Sequence, residues 1–158
     1  MKPSLFAVAF VAIFSVNAVQ AQPSQPAPPN PCSTKNKSAL RAQLLKTPAA
    51  DDAWSLTEVL LCGAKTPVNA AYLRRHMPPK IKVTSLDTDG KDEVSIAKVD
   101  AALIDSLFAT GVANETELNI SEDEIILRYW PNEACMNSRT LRYGKGTWRL
   151  AAIGDACD

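Results

Sequence analysis

Asp87-Thr88-Asp89-Gly90-Lys91-Asp92-Glu93 gathers carboxylates around a glycine, as calcium loops gather oxygen ligands. With Gly90 at the sixth loop position, Ser85 falls at the first, Asp87 at the third, Asp89 at the fifth and Ile96 at the twelfth. The first and last carboxylates are missing, so the stretch reads as a hairpin turn in which Asp-Gly supplies the backbone geometry. His76, the single histidine, follows Arg74 and Arg75 and precedes Pro78. At a helix end such a ring serves the helix dipole rather than catalysis. No Gly-x-Ser-x-Gly elbow occurs. The acid groups Asp92-Glu93 and Glu122-Asp123-Glu124 fall in expected turns, where solvation accounts for them. The expectation is a chain with no catalytic set, no metal site and no cofactor, and so not an enzyme.

Four cysteines remain as reactive groups: Cys32, Cys62, Cys135 and Cys157. No two have the Cys-x-x-Cys spacing of a zinc site. An even number in an exported chain points to disulfides, and three pairings are open. Local pairing is the expected one, Cys32–Cys62 and Cys135–Cys157. Each bond closes a loop of a few tens of residues and contributes about 3 kcal/mol in the chain-entropy model.

The chain is neutral overall, which gives no bulk attraction to nucleic acid or membrane. Along the sequence the charge is segregated. Residues 65–82 hold five Lys/Arg and no acid, and residues 87–124 hold eleven acids against Lys91 and Lys98. Residues 125–153 hold five basic residues against Glu133. In the period-two stretch 124–130, Ile125, Leu127 and Tyr129 alternate with Ile126, Arg128 and Trp130. In 147–153, Trp148, Leu150 and Ala152 alternate with Thr147, Arg149 and Ala151. Leu141 and Tyr143 look core-facing, which turns Arg142 outward. Arg128, Arg142 and Arg149 then form a basic ladder on one sheet face, with Trp130 beside it. Glu117 and Glu122 on the neighbouring strand could pair that ladder within the molecule. Left free, it is a binding surface for a protein partner with an acidic surface, or for an anionic ligand.

The elements that must carry these residues follow from period and punctuation. Helices are expected over 33–46 (Ser33 or Thr34 as cap, Leu40, Leu44 and Leu45 as stripe), from Asp51 or Asp52 to Gly63, and from Thr66-Pro67 to Pro78. Strands 80–86 and 93–99 flank the Asp-Gly turn. A further helix follows from Asp100 to Gly111, its apolar residues at 103, 104, 107 and 108. Strands near 116–120, 124–130, 138–143 and 147–153 complete the chain, the last two joined through Gly144-Lys145-Gly146, whose glycines tolerate positive φ. The fold class is α+β: three N-terminal helices and one more packed on a curved antiparallel sheet, stapled by two disulfides.

That element order, with the closing stretch Tyr143-Gly-Lys-Gly-Thr-Trp-Arg-Leu-Ala-Ala-Ile-Gly-Asp155, resembles the nuclear-transport-factor-like superfamily of cone-shaped α+β domains. The resemblance covers about the last 40 residues and the order of elements. It implies a pocket between helices and sheet, used by some members for isomerase or dehydratase chemistry through an aspartate with a histidine or tyrosine. With His76 at a helix end beside Pro78, no catalytic residue carries over.

Residues 1–21 read as a signal peptide: Lys2, an apolar run from Leu5 to Val16, and small residues at Val19 and Ala21. Residues 22–31, dense in proline, read as a tether. Residues 32–158 form one domain, with no second apolar run for membrane insertion. Asn36, Asn114 and Asn119 open Asn-x-Ser/Thr triplets, glycan acceptors only in a eukaryotic secretory route. The functional expectation is an exported, periplasmic or secreted interaction protein, an inhibitor or immunity protein that binds through the basic and aromatic sheet face. The alternative is a small-ligand-binding or enzymatic domain with a cone-shaped pocket.

Overall fold

The computed structural model describes residues 30–86, 90–108 and 113–157. The expected signal peptide, Asp87 and Asp89 of the calcium-like stretch, and residues 109–112 lie outside them. Asn30 and Pro31, expected in the tether, already belong to the folded body. Pro31 is buried, and the Asn30 carbonyl accepts hydrogen bonds from Ser33 N (3.1 Å) and Asn36 Nδ2 (2.7 Å).

The elements run α1 (Thr34–Leu44), α2 (Ala50–Cys62), α3 (Pro67–Arg75), β1 (Lys80–Leu86), β2 (Asp92–Lys98), α4 (Ala101–Ser106), β3 (Glu115–Ile120), β4 (Glu124–Asn132), β5 (Cys135–Gly144) and β6 (Thr147–Cys157). Three helix starts follow side-chain chemistry. Ser33, Thr66 and Asp100 each accept a backbone N–H of the first turn. The start of α2 does not. Ala49 precedes it in the left-handed region, and Asp52 turns its carboxylate to β6 instead of to its own helix. Asp51 and Asp52 still sit in the first turn, where negative charge suits the dipole.

The six strands form one sheet in the order β2-β1-β6-β5-β4-β3. Four pairings are antiparallel, and β1 with β6 is parallel. The α+β class stands, with a mixed sheet in place of a purely antiparallel one. Hairpin logic reaches only neighbours in sequence, whereas β1 is placed beside the last strand by the docking of the whole N-terminal half.

The helices cover one face. Ala53, Leu56, Thr57, Leu60 and Leu61 of α2 are buried at helical spacing, and Leu40, Leu44, Leu73 and Ile104 join them from the other helices. The sheet answers with Ile81, Ile125, Leu127, Tyr129, Leu141, Trp148, Leu150 and Ile153. Trp148 lies at the centre, its indole N–H donating to the Pro48 carbonyl at 2.6 Å and its backbone N–H to Asp52 Oδ2 at 2.8 Å. That pair of bonds ties β6 to α2 and to the segment that leads into it.

The register shifts in two places, between Tyr129 and Asn132 in the β4–β5 pairing and within the β5–β6 pairing. Between Thr140 and Leu141 the register slips, so Ala151 is an extra residue, a β-bulge. Ala152, expected to face the core, turns outward, and Ile153 takes the core position with 4% of its surface exposed. In the β5–β6 turn, positive φ falls on Lys145 (54°) and Gly146 (82°), not on Gly144. Two successive left-handed residues match the twist of a two-residue hairpin.

Both expected disulfides are formed. Cys32–Cys62 ties the start of α1 to the end of α2, and Cys135–Cys157 closes the open end of the β5–β6 hairpin. Such bonds persist in oxidising compartments. Among the described residues no helix is long and apolar enough to cross a membrane.

Candidate functional site

The helices leave the other face of the sheet uncovered, and register assigns its residues. Directly opposite residues share a face, so one row across β4, β5 and β6 reads Glu124, Arg142, Arg149. The next reads Ile126, Thr140, Ala152, Lys82, Ile96, and the next Arg128, Ser138, Gly154, Thr84, Val94. The middle of this face is therefore paved with small residues. Long basic side chains stand on both sides of it. Shallow cavities of about 290 and 240 Å³ lie along it; the smaller is bounded by Lys82, Glu124, Thr140, Arg142, Ala151 and Ala152. A third, of about 350 Å³, continues past Arg142 and Arg149 to Lys145 and Pro78.

The structure places the four sequence-selected residues on this face but not in one cluster. Arg142 and Arg149 stand directly opposite each other across β5 and β6. Arg128 lies four residues nearer the other end of its neighbouring strand. Trp130 is half-buried opposite Glu115, and six residues separate it along β4 from Glu124, about 20 Å at strand rise. Two of the arginines have acids within the molecule: Arg128 with Glu117 at 3.4 Å and Arg142 with Glu124 at 3.0 Å. Glu124, not the exposed turn residue Glu122, is the partner of Arg142. Arg149, Lys80, Lys82 and Lys98 have no ion-pair partner among the described residues. Lys80 stands directly opposite Lys98 on the same face as Lys82. The basic end thus comprises Arg142, Arg149, Lys80, Lys82 and Lys98, the lysines having escaped selection because strand order is invisible in sequence.

Arg139 is the residue of the sheet that its sequence makes least expected. It points inward with 2% of its surface exposed. Its Nη1 donates to the Ser138 carbonyl (2.8 Å), the Gly154 carbonyl (3.1 Å) and Asp155 Oδ1 (2.8 Å), and its guanidinium lies 5.6 Å from the Tyr129 ring centre. Its Nε is buried without a partner. Burial pushes the Tyr129 phenol above its ordinary value of 10.0, opposed by Arg139 and by hydrogen bonds from Asn137 and Arg139. Parity with Leu141 and Tyr143 was the signal that marks Arg139 as inward.

A second polar cluster joins α2, α3 and β6. His76 caps α3, its Nδ1 2.8 Å from the Tyr72 carbonyl and its Nε2 3.7 Å from Asp52 Oδ1. Thr147 Oγ1 donates to Asp52 Oδ2 at 3.0 Å. The His76 carbonyl accepts from Leu150 N at 2.8 Å, so the helix end is tied to the strand. Tyr72 packs on the His76 ring, and its phenol is pushed up by burial and then by Asp52. The hydrogen bonds of Asp52 and the His76 carbonyl hold these elements together. Among the described residues no three His, Cys, Asp or Glu gather as metal ligands do.

No protein-family model matches the chain, and no curated protein matches it. Among solved structures it is similar to an NTF-2-like protein of unknown function from Silicibacter pomeroyi, at 12% identity and TM-score 0.42, over 77% of this chain and 98% of that one. It is similar to an NTF2-like protein of unknown function from Shewanella baltica, at 14% identity and TM-score 0.40, over 68% and 94%. It is also similar to an NTF2-like protein with a cystatin-like fold from Novosphingobium aromaticivorans, at 14% identity and TM-score 0.38, over 80% and 90%.

Proposed function

We propose that this chain is an exported interaction protein, an inhibitor or immunity protein of the periplasm, that docks an acidic partner on the outer face of its sheet. One observation carries the reading: Arg142 and Arg149 are held directly opposite each other, with Lys82 beside them across Ala152. Like charges in that position destabilise a sheet. Glu124 offsets one of them only, through a pair in which the Arg142 side chain is 68% exposed. A pair so solvated is worth about 1 kcal/mol or less, so Arg142 exchanges Glu124 for a partner's carboxylate at little loss. The small residues between the basic walls leave room for a partner's backbone. Carboxylates on that segment would complete the charge balance.

The test uses polyglutamate as a defined acidic probe. Calorimetric binding that weakens as salt rises, and that falls about tenfold or more in Arg149→Glu, is the expected result. Absent binding, or binding unchanged in Arg149→Glu, would overturn the reading. A second reading, a small anion held on the inner face, is favoured by the unpartnered Nε of Arg139. It predicts binding of small carboxylates or phosphate that is lost in Arg139→Met and unaffected by Arg149→Glu.

A further inference from the structure

The two edges of the sheet are not alike. At one, α1 packs beside β3, whose outward side chains include Glu115 and Glu117. At the other, no described element packs beside β2 on its open side, and six of its seven residues are exposed. Val94 and Ile96 are 56% and 66% exposed on the outer face, and no proline or bulge interrupts the strand. Edges of this kind are templates for another strand, and proteins usually blunt them.

The sequence of β2 says which strand fits. Its outer-face residues are Asp92, Val94, Ile96 and Lys98. Turned antiparallel about Ser95, a second copy sets Asp92 opposite Lys98 twice, Val94 opposite Ile96 twice and Ser95 opposite Ser95. Charge meets opposite charge and apolar meets apolar at every outer position. Within one molecule Lys98 faces only Lys80 and has no anion among the described residues. The second copy's Asp92 supplies it. We infer that β2 is a self-complementary edge through which two copies of this chain join their sheets antiparallel about a two-fold axis at Ser95.

The interface is isologous, so each contact occurs twice. Its axis is perpendicular to the sheet, which leaves both outer faces on one side of a continuous twelve-stranded sheet. One edge contact buries less than a standard stable interface, so the dimer forms reversibly as concentration rises. This inference rests on β2 alone and is independent of what the basic face binds.

Sedimentation equilibrium of the purified protein, up to about millimolar concentration, tests it. A monomer–dimer equilibrium is expected. Asp92→Lys, which sets lysine against Lys98 twice, weakens it about tenfold or more. The charge exchange Asp92→Lys with Lys98→Asp restores it, and Arg149→Glu on the sheet face leaves it unchanged. A protein that stays monomeric throughout overturns the inference. So does a dimer insensitive to Asp92→Lys, not rescued by the exchange, or dissolved by Arg149→Glu.

Discussion

Arg139 carries its charge into the sheet's inner face beside Leu127 and Ile153. Two backbone carbonyls and Asp155 satisfy part of the guanidinium, and the Tyr129 ring covers it. The same enclosure raises the Tyr129 phenol above 10.0, burial being the largest cause. The folded phenol then keeps its proton where the unfolded one has lost it. That contribution to stability is whole below pH 10.0 and is lost as pH rises from there through the folded value. Tyr72 shifts in the same direction. Urea midpoints measured from about pH 9 to about pH 11 should fall, and Tyr129→Phe should remove part of that fall. An unchanged pH slope in Tyr129→Phe would mean that the phenol is not desolvated. At this scale the outward arginines were legible because they alternate with large apolar residues. Arg139 breaks that rule and is recognised only by counting from Leu141.

The bulge at Ala151 decides which alanine and which isoleucine face the core. Ile153→Ala should lower stability by about 2–5 kcal/mol, since it leaves a cavity between Val83 and Arg139, its register neighbours in the core. Ala152→Ser should change it by about 0.5 kcal/mol or less. Denaturant titration of the two variants distinguishes the bulged register from strict alternation, which predicts the opposite order. Most elements were readable because their signals are local. Thr66-Pro67 caps and opens α3, Asp100 caps α4, and period two marks every strand. The parallel β1–β6 pairing, the bulge and the return of Asp52 to Trp148 were not readable. Each depends on residues distant in sequence. The candidate site shares that limit: Arg142 and Arg149 are hairpin neighbours, whereas Lys80 and Lys82 arrive through strand order.

Across the whole molecule, two clips hold the layers. Cys32–Cys62, 30 residues apart in sequence, joins the start of α1 to the end of α2, which together supply Leu40, Leu44, Leu56 and Leu60 to the core. Replacing both cysteines with serine should lower unfolding free energy by about 3 kcal/mol in urea titration, through the gain in freedom of the unfolded chain. An unchanged midpoint would mean that the denatured ensemble is already constrained there. The same clip fixes where the chain enters its domain. Asn30 is bonded to the first turn of α1, in the layer that covers the inner side of the sheet. The described chain therefore begins on the helical side of the sheet. A molecule immobilised by its leading end would turn its lysine- and arginine-bearing strands toward the surrounding liquid, as a hand held from behind offers its palm.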